Sequence, residues 1–200
     1  NENSLYKVDA TDGSTDDVSL LIRARFPAVN LIVFERNRGK AAAVFEGARQ
    51  SFNETVLLLD ADLKNLEPNE LATSIKKCFE KKAGLLILEN KGDNDFVDRL
   101  WGKSIFLSGK RILKREDLMA IGQSHVTGYQ LEVAINDYMI KNKRIVYWAK
   151  NSARNPHKVA KEGWLNGILD EIKMELGIIK YIGVVKYCLQ KFYFNPPELK

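Results

Sequence analysis

Two carboxylates, Asp60 and Asp62, close an apolar run in the stretch LLLDADL at residues 57–63. A strand that apolar belongs in an interior, where a carboxylate is costly to bury without a partner. One reading is a strand running out into a solvated turn. The sharper reading is a pair of oxygen ligands for a hard divalent cation, at the mouth of a parallel sheet. Gly39-Lys40 is a second candidate, for phosphate. A Walker A loop needs a glycine five positions before the Gly-Lys pair and Ser or Thr after the lysine. Here position 34 is Phe and position 41 is Ala, so this is not a P-loop. What remains is a cationic loop that either contacts phosphates or forms a solvated basic turn.

The elements that must position these residues alternate between strand-length apolar runs and helical stripes. Residues 5–10 (LYKVDA) read as a short strand, followed by the turn DGSTDD with its cap chemistry. A helix runs to about Arg25 and Pro27 stops it. Strand 29–34 leads into the loop ERNRGK and a helix over 40–51. Strand 55–59 carries the Asp pair. Pro68 then suits a first helical position, and Leu71, Ile75, Cys78 and Phe79 form an apolar stripe. Residues 84–88 (GLLIL) are a further strand. This order predicts an α/β fold with right-handed crossovers and a mostly parallel sheet flanked by helices, Rossmann-like in its first half. The polar segments 11–17, 35–40 and 60–65 all follow strands and are expected at the carboxyl edge.

Beyond residue 90 the pattern is less regular. A helix is expected near 96–107, then SGKRILKRE at 108–116, a strong helix at 128–142, a strand at 144–149 and a long helix through much of 163–194. The 200 residues suit one domain: a first half at 1–107, a second at 108–162, and a helix and tail at 163–200. Hydrophobic content of 45% and charged content of 28% are ordinary for a globular protein. A net charge of +5 suits anionic ligands, although the basic residues are spread among acids, which argues against nucleic acid. Cys78 and Cys188 lie far apart with no CxxC, which disfavours a disulfide framework and a cysteine-ligated zinc site. The polar opening NENSLYK does not read as a secretory leader, and a cytoplasmic setting is the simpler expectation. Residues 176–194 read as an amphipathic helix interrupted by Lys180, Lys186 and Lys191. It packs on its own domain or touches a membrane surface.

Three segments, taken in order, carry a resemblance. ATDGSTDD, NRGKAAAVFEGA and LLLDADL resemble the nucleotide-sugar half of family 2 glycosyltransferases with the GT-A fold. Each motif is short, but the ordered set over residues 8–63 is specific. Downstream, SGKRILKRE (108–116), GYQLEVAIND (128–137) and SARNPHK (152–158) look like the acceptor-side segments of one branch. That branch includes glucosyl-3-phosphoglycerate synthases and polyprenyl-phosphate sugar transferases.

The resemblance implies a GT-A nucleotide-diphospho-sugar transferase fold and a role for each matching residue. Asp62 would bind Mg²⁺ or Mn²⁺ directly, and Asp60 would hold the ribose or the metal's water. His157 matches a third metal ligand. Asp12 matches the nucleobase and ribose turn, and Lys40 the loop against the nucleotide. Ser108 and Gly109 match a loop lining the sugar pocket. Glu132 matches an acidic residue that hydrogen-bonds sugar hydroxyls or helps deprotonate an acceptor. Arg154 and Lys158 are clamps for a phosphate on donor or acceptor. Each has a plainer alternative as a turn, cap or surface residue. The implied donor is a nucleoside-diphosphate sugar and the implied acceptor a small phosphorylated molecule or a lipid phosphate. A membrane-associated setting, with a peripheral membrane contact, and a homodimer both stay open. The family's usual first strand, of hhIPahNE type, has no counterpart here, and Thr11 stands where an acidic residue linked to uracil recognition is usual. The rival expectation is therefore a transferase-like module that binds a nucleotide sugar or a protein partner without catalysis.

Overall fold

Up to residue 89 the backbone keeps the alternation written in the apolar pattern. The computed structural model describes residues 8–12, 17–89, 105–122, 126, 130–154 and 164–200. In chain order these form β1 (Val8–Asp12), α1 (Val18–Arg25), β2 (Asn30–Phe34), α2 (Lys40–Gln50), β3 (Thr55–Leu58) and α3 (Pro68–Glu80). Then come β4 (Leu85–Leu88), β5 (Arg111–Lys114), α4 (Arg115–Gly122), α5 (Gln130–Lys141) and β6 (Val146–Ala149). Two helices, α6 (Trp164–Ile182) and α7 (Val184–Tyr193), complete the set. The chain divides into two compact units, Asn1–Val56 with Lys114–Leu131, and Leu57–Leu113 with Glu132–Lys200.

In the first unit β1 and β2 pair in parallel, with Val8 opposite Asn30 and Asp12 opposite Phe34. Parallel neighbours need a crossover, which α1 supplies before Pro27 ends it. On α2 the small residues Ala41 and Ala48 are buried, and Gln50 Oε1 accepts Asn30 Nδ2 at 3.1 Å. Leu118 and Ile121 of α4 are buried as well, and the Arg115 amide donates to Glu54 O at 2.7 Å.

The second unit is built on a four-stranded sheet in the order β3-β5-β4-β6. Leu85, Leu86, Ile87 and Leu88 of β4 are all fully buried, the mark of a strand covered on both faces. Leu86 and Leu88 cluster with Cys78, Ile112, Ala149 and Leu199, and Leu71 and Ile75 of α3 pack against them. The stripe read at helical spacing is thus the face α3 presents to the sheet. Each large aliphatic side chain so buried is worth about 1.5–3 kcal/mol. A second cluster gathers Phe106, Val133, Ile178 and Tyr187, with the Phe106 and Tyr187 rings edge-on at 6.3 Å. After α7 the chain returns along β6: Trp148 N donates to Pro197 O at 3.1 Å and Leu199 N to Trp148 O at 2.7 Å.

Three expectations change. β4 pairs with β6 in parallel but with β5 antiparallel, so SGKRILKRE, which sequence left without an element, ends in an inserted strand and opens α4. The single long helix over 163–194 is two, because Gly183 sits at φ 82, a left-handed conformation no helix can continue through. The first strand runs on to Asp12 instead of ending at 10, and residues 5–7 of that expectation lie outside the described residues. Most of the helix expected near 96–107 lies outside the described residues, and 105–107 form a bend and turn. Among the described residues no helix is long and apolar enough to cross a membrane.

Candidate functional site

The carboxylate turn begins where β3 ends. Leu59 is already 39% exposed, Asp60 is half-buried and Asp62 is exposed, so the apolar run does lead out of the interior. Two residues on, Lys64 forms an isolated antiparallel bridge with Arg154. The amide of each donates to the other's carbonyl at 2.9 Å. This pair of backbone bonds holds the start of the basic segment alongside the carboxylate turn.

Residues 151–154 are fixed from three further directions. Asn151 Nδ2 donates to Glu89 O at 2.6 Å, which ties the segment to the end of β4. Ser152 donates through its amide and its hydroxyl to the Glu70 carboxylate of α3, at 2.7 and 2.6 Å. Lys110 Nζ donates to Asn151 Oδ1 at 3.2 Å and to Ala153 O at 2.9 Å. Asn151 Oδ1 also accepts the Ala153 amide at 3.0 Å, which closes a local turn.

Lys110 is fully buried. Burial pushes its ammonium down to about 8, while the charges of Asp60 and Glu89 pull the other way. Glu89 directly follows β4, and its Oε2 is buried with no hydrogen-bond partner among the described residues. Ser108 is buried, donates to Leu88 O at 2.6 Å and accepts the Lys110 amide at 3.3 Å; Gly109 beside it is also buried. Arg111 faces elsewhere. Its guanidinium donates to Ser108 O, Asn136 Oδ1 and Phe106 O at 2.6–2.7 Å. Burial lowers it to about 10, and the carboxylate of Glu132 opposes that. Glu132 is only 4% exposed, so it is an interior residue of the first turn of α5.

In the first unit Asp12 ends β1 and Lys40 opens α2, just after β2. Both therefore stand at the C-terminal edge of the β1–β2 pair. Gly39, at φ 85, makes the turn into α2, and its amide donates to Asn37 Oδ1 at 3.0 Å. The Arg38 guanidinium lies 4.8 Å over the Phe34 ring. His157 and Lys158 lie outside the described residues, as do Gly128 and Tyr129.

Asp60, Asp62, Ser108, Gly109 and Arg154 thus belong to one unit, whose strand ends and loops are tied together by Lys110 and Asn151. Sequence reasoning missed Lys110, Glu89, Asn151 and Glu70. Lys110 sits in a run of basic residues that reads as solvated. The one usable signal was the alternation of Ser108, Lys110 and Ile112, which puts Lys110 on a buried face. As to a metal, two carboxylates one residue apart on a turn are a hard oxygen donor set that fits Mg²⁺ or Mn²⁺. Among the described residues no cluster of three metal-binding side chains occurs, so a third ligand would come from elsewhere.

This fold, with carboxylates and a basic segment side by side past the strand ends, is of the GT-A glycosyltransferase class. Residues 10–140 match glycosyl transferase family 2, and the chain belongs to that family. Its structure is similar to that of glucosyl-3-phosphoglycerate synthase from Mycobacterium tuberculosis in complex with phosphoglyceric acid. The TM-score is 0.64 at 16% identity, over 98% of this chain and 77% of that one. The same synthase in complex with Mn²⁺ and UDP-glucose gives a TM-score of 0.61 at 18% identity, over 90% and 66%. S. aureus TarS, residues 1–349, gives 0.60 at 15% identity. The match covers 94% of this chain and only 62% of TarS 1–349. At these identities the likeness is one of fold. No protein of curated function matches the sequence.

Proposed function

We propose that the chain is a metal-dependent glycosyltransferase that moves a hexose from a nucleoside-diphosphate sugar to a small phosphorylated or lipid-phosphate acceptor. The observation that carries this reading is the Lys64–Arg154 bridge, which sets a cationic segment against the carboxylate turn. Family membership supports the transfer chemistry. The similar synthase supports the ligands, having been solved with Mn²⁺, UDP-glucose and phosphoglyceric acid.

A diphosphate leaving group gathers negative charge as the sugar bond breaks. A divalent cation held by Asp60 and Asp62, with His157 as third ligand, would neutralise that charge. Arg154 is exposed beside this turn and, with Lys158, offers its charge to a phosphate of donor or acceptor. Ser108 and Gly109 are assigned to the wall of the sugar pocket. In the first unit Asp12 and Lys40 are assigned to the nucleotide. Glu132, buried beside Arg111, is assigned to an acceptor or sugar hydroxyl, from which it accepts a hydrogen bond or a proton.

Replacing Asp62 by Ala tests the reading. Transfer or hydrolysis of nucleotide sugars in Mn²⁺ is expected to fall at least about 100-fold. Thermal stability should hold, because the side chain is exposed and its removal opens no cavity. Turnover equal to that of the parent chain would remove the cation from the mechanism.

A further inference from the structure

Two buried groups at the strand ends have no part in the chemistry above: the Lys110 ammonium and the Glu89 oxygen that has no hydrogen-bond partner among the described residues. Lys110 directly precedes β5, and its carbonyl accepts the Leu88 amide at 2.9 Å, so its backbone lies beside the end of β4. Its side chain has no exposed surface. An ammonium so placed loses its hydration and needs partners that offset the loss. The neutral partners, Asn151 Oδ1 and Ala153 O, lie on the segment that follows β6. Two carboxylates whose charges act on it, Asp60 and Glu89, follow β3 and β4. One cation is thus shared among the ends of three strands, and one of those carboxylates is half of the carboxylate turn.

We infer that Lys110 is a positioning residue for that turn: its ammonium fastens residues 151–153, the Lys64–Arg154 bridge carries that segment against the turn, and its charge sets how tightly Asp60 takes a divalent cation. The inference rests on the metal-dependent reading above. Its sign follows from charge. A fixed ammonium beside Asp60 repels a divalent cation bound to the same carboxylate, and at low effective dielectric that repulsion is large. Glu89 counters it by drawing on the same ammonium. Removing Lys110 and removing the charge of Glu89 should therefore move cation affinity in opposite directions.

Calorimetric titration of the whole chain with Mn²⁺, comparing the parent with Lys110→Met and Glu89→Gln, tests this. Lys110→Met should bind Mn²⁺ about 3- to 10-fold tighter and Glu89→Gln weaker by a similar factor. With saturating nucleotide sugar, Lys110→Met should lose about 100-fold in kcat while KM stays within about threefold, since the binding groups remain but are misplaced. Without metal, amide exchange at 151–154 should quicken in Lys110→Met and not in Glu89→Gln. A tether that was merely structural would weaken Mn²⁺ binding in step with thermal stability, and that result overturns the inference. Should Lys110→Met fail to fold, Glu89→Gln decides: weaker Mn²⁺ binding supports the inference and unchanged binding overturns it. A parent chain that binds no Mn²⁺ sinks the metal-dependent reading itself, an outcome distinct from either.

Discussion

Lys110 and Arg111 are neighbours in sequence, both cationic and both fully buried, and among the described residues their side chains bond different partners. Successive residues of an extended chain point to opposite faces, so the pleat alone separates them. Arg111 turns into the interior. Its planar fork meets two backbone carbonyls and Asn136, and Asn136 passes the network on to Phe106 O and Gln190 Oε1 of α7. A guanidinium suits such a place, because its five donors match several fixed acceptors at once. Lys110 is a compact charge among strand ends, bonded to Asn151 and Ala153 and acted on by the charges of two carboxylates. One cation spends its donors on fixed interior acceptors, and its charge acts on Glu132, the residue assigned to a hydroxyl. The other stands next to the residues assigned to the cation. The contrast separates a buried charge locked into an interior network from one that ties together the segments past the strand ends.

Arg111→Met should break the contrast most strongly. It leaves Asn136, two carbonyls and the Glu132 carboxylate facing a void in the polar network, at a cost of about 3–5 kcal/mol. Urea denaturation would show this, and a loss under about 1 kcal/mol would mean the interior network is expendable. The next effect is one of pH. Lys110 falls from 10.5 to about 8 in the folded chain through burial, so the folded state gives up this proton before the unfolded state does. Between those values the unfolded state binds more protons, and the contribution of Lys110 to stability rises with pH, by at most about 3 kcal/mol. Below about pH 8 the contribution is flat. The difference in unfolding free energy between the parent and Lys110→Met, followed from pH 7 to 10.5, isolates it. The smallest effect belongs to Ser108→Ala. It removes the hydroxyl bonded to Leu88 O and to the Lys110 amide, at about 1 kcal/mol. If Ser108 serves Lys110 rather than Arg111, Mn²⁺ affinity should shift along with that small loss.

Much of this was legible from residue types. Pro68 and the stripe of Leu71, Ile75 and Cys78 specify α3 and the face it buries, since a period near 3.6 admits no other element. The glycine at 39 and the basic loop around it mark the entry to α2. The carboxylate pair was visible as a break in an apolar run. Less visible were the antiparallel β5, hidden because RILK is short and flanked by cations, and the division of the last helix at Gly183. A glycine within a helical pattern is tolerated often enough that only its backbone angle reveals a break.

What the sequence determined by itself was a set of local choices: which runs become strands or helices, where they stop, and that two carboxylates emerge at the end of β3. Side-chain period, proline and glycine act within a few residues, so these choices need no distant partner. Only the tertiary structure decided that Lys110 is buried, that Asn151 caps the end of β4, and that Arg154 lies beside Lys64. Those facts depend on strand order and register. Register joins segments more than forty residues apart, and a one-residue slip would have turned Lys110 and Arg111 to each other's faces.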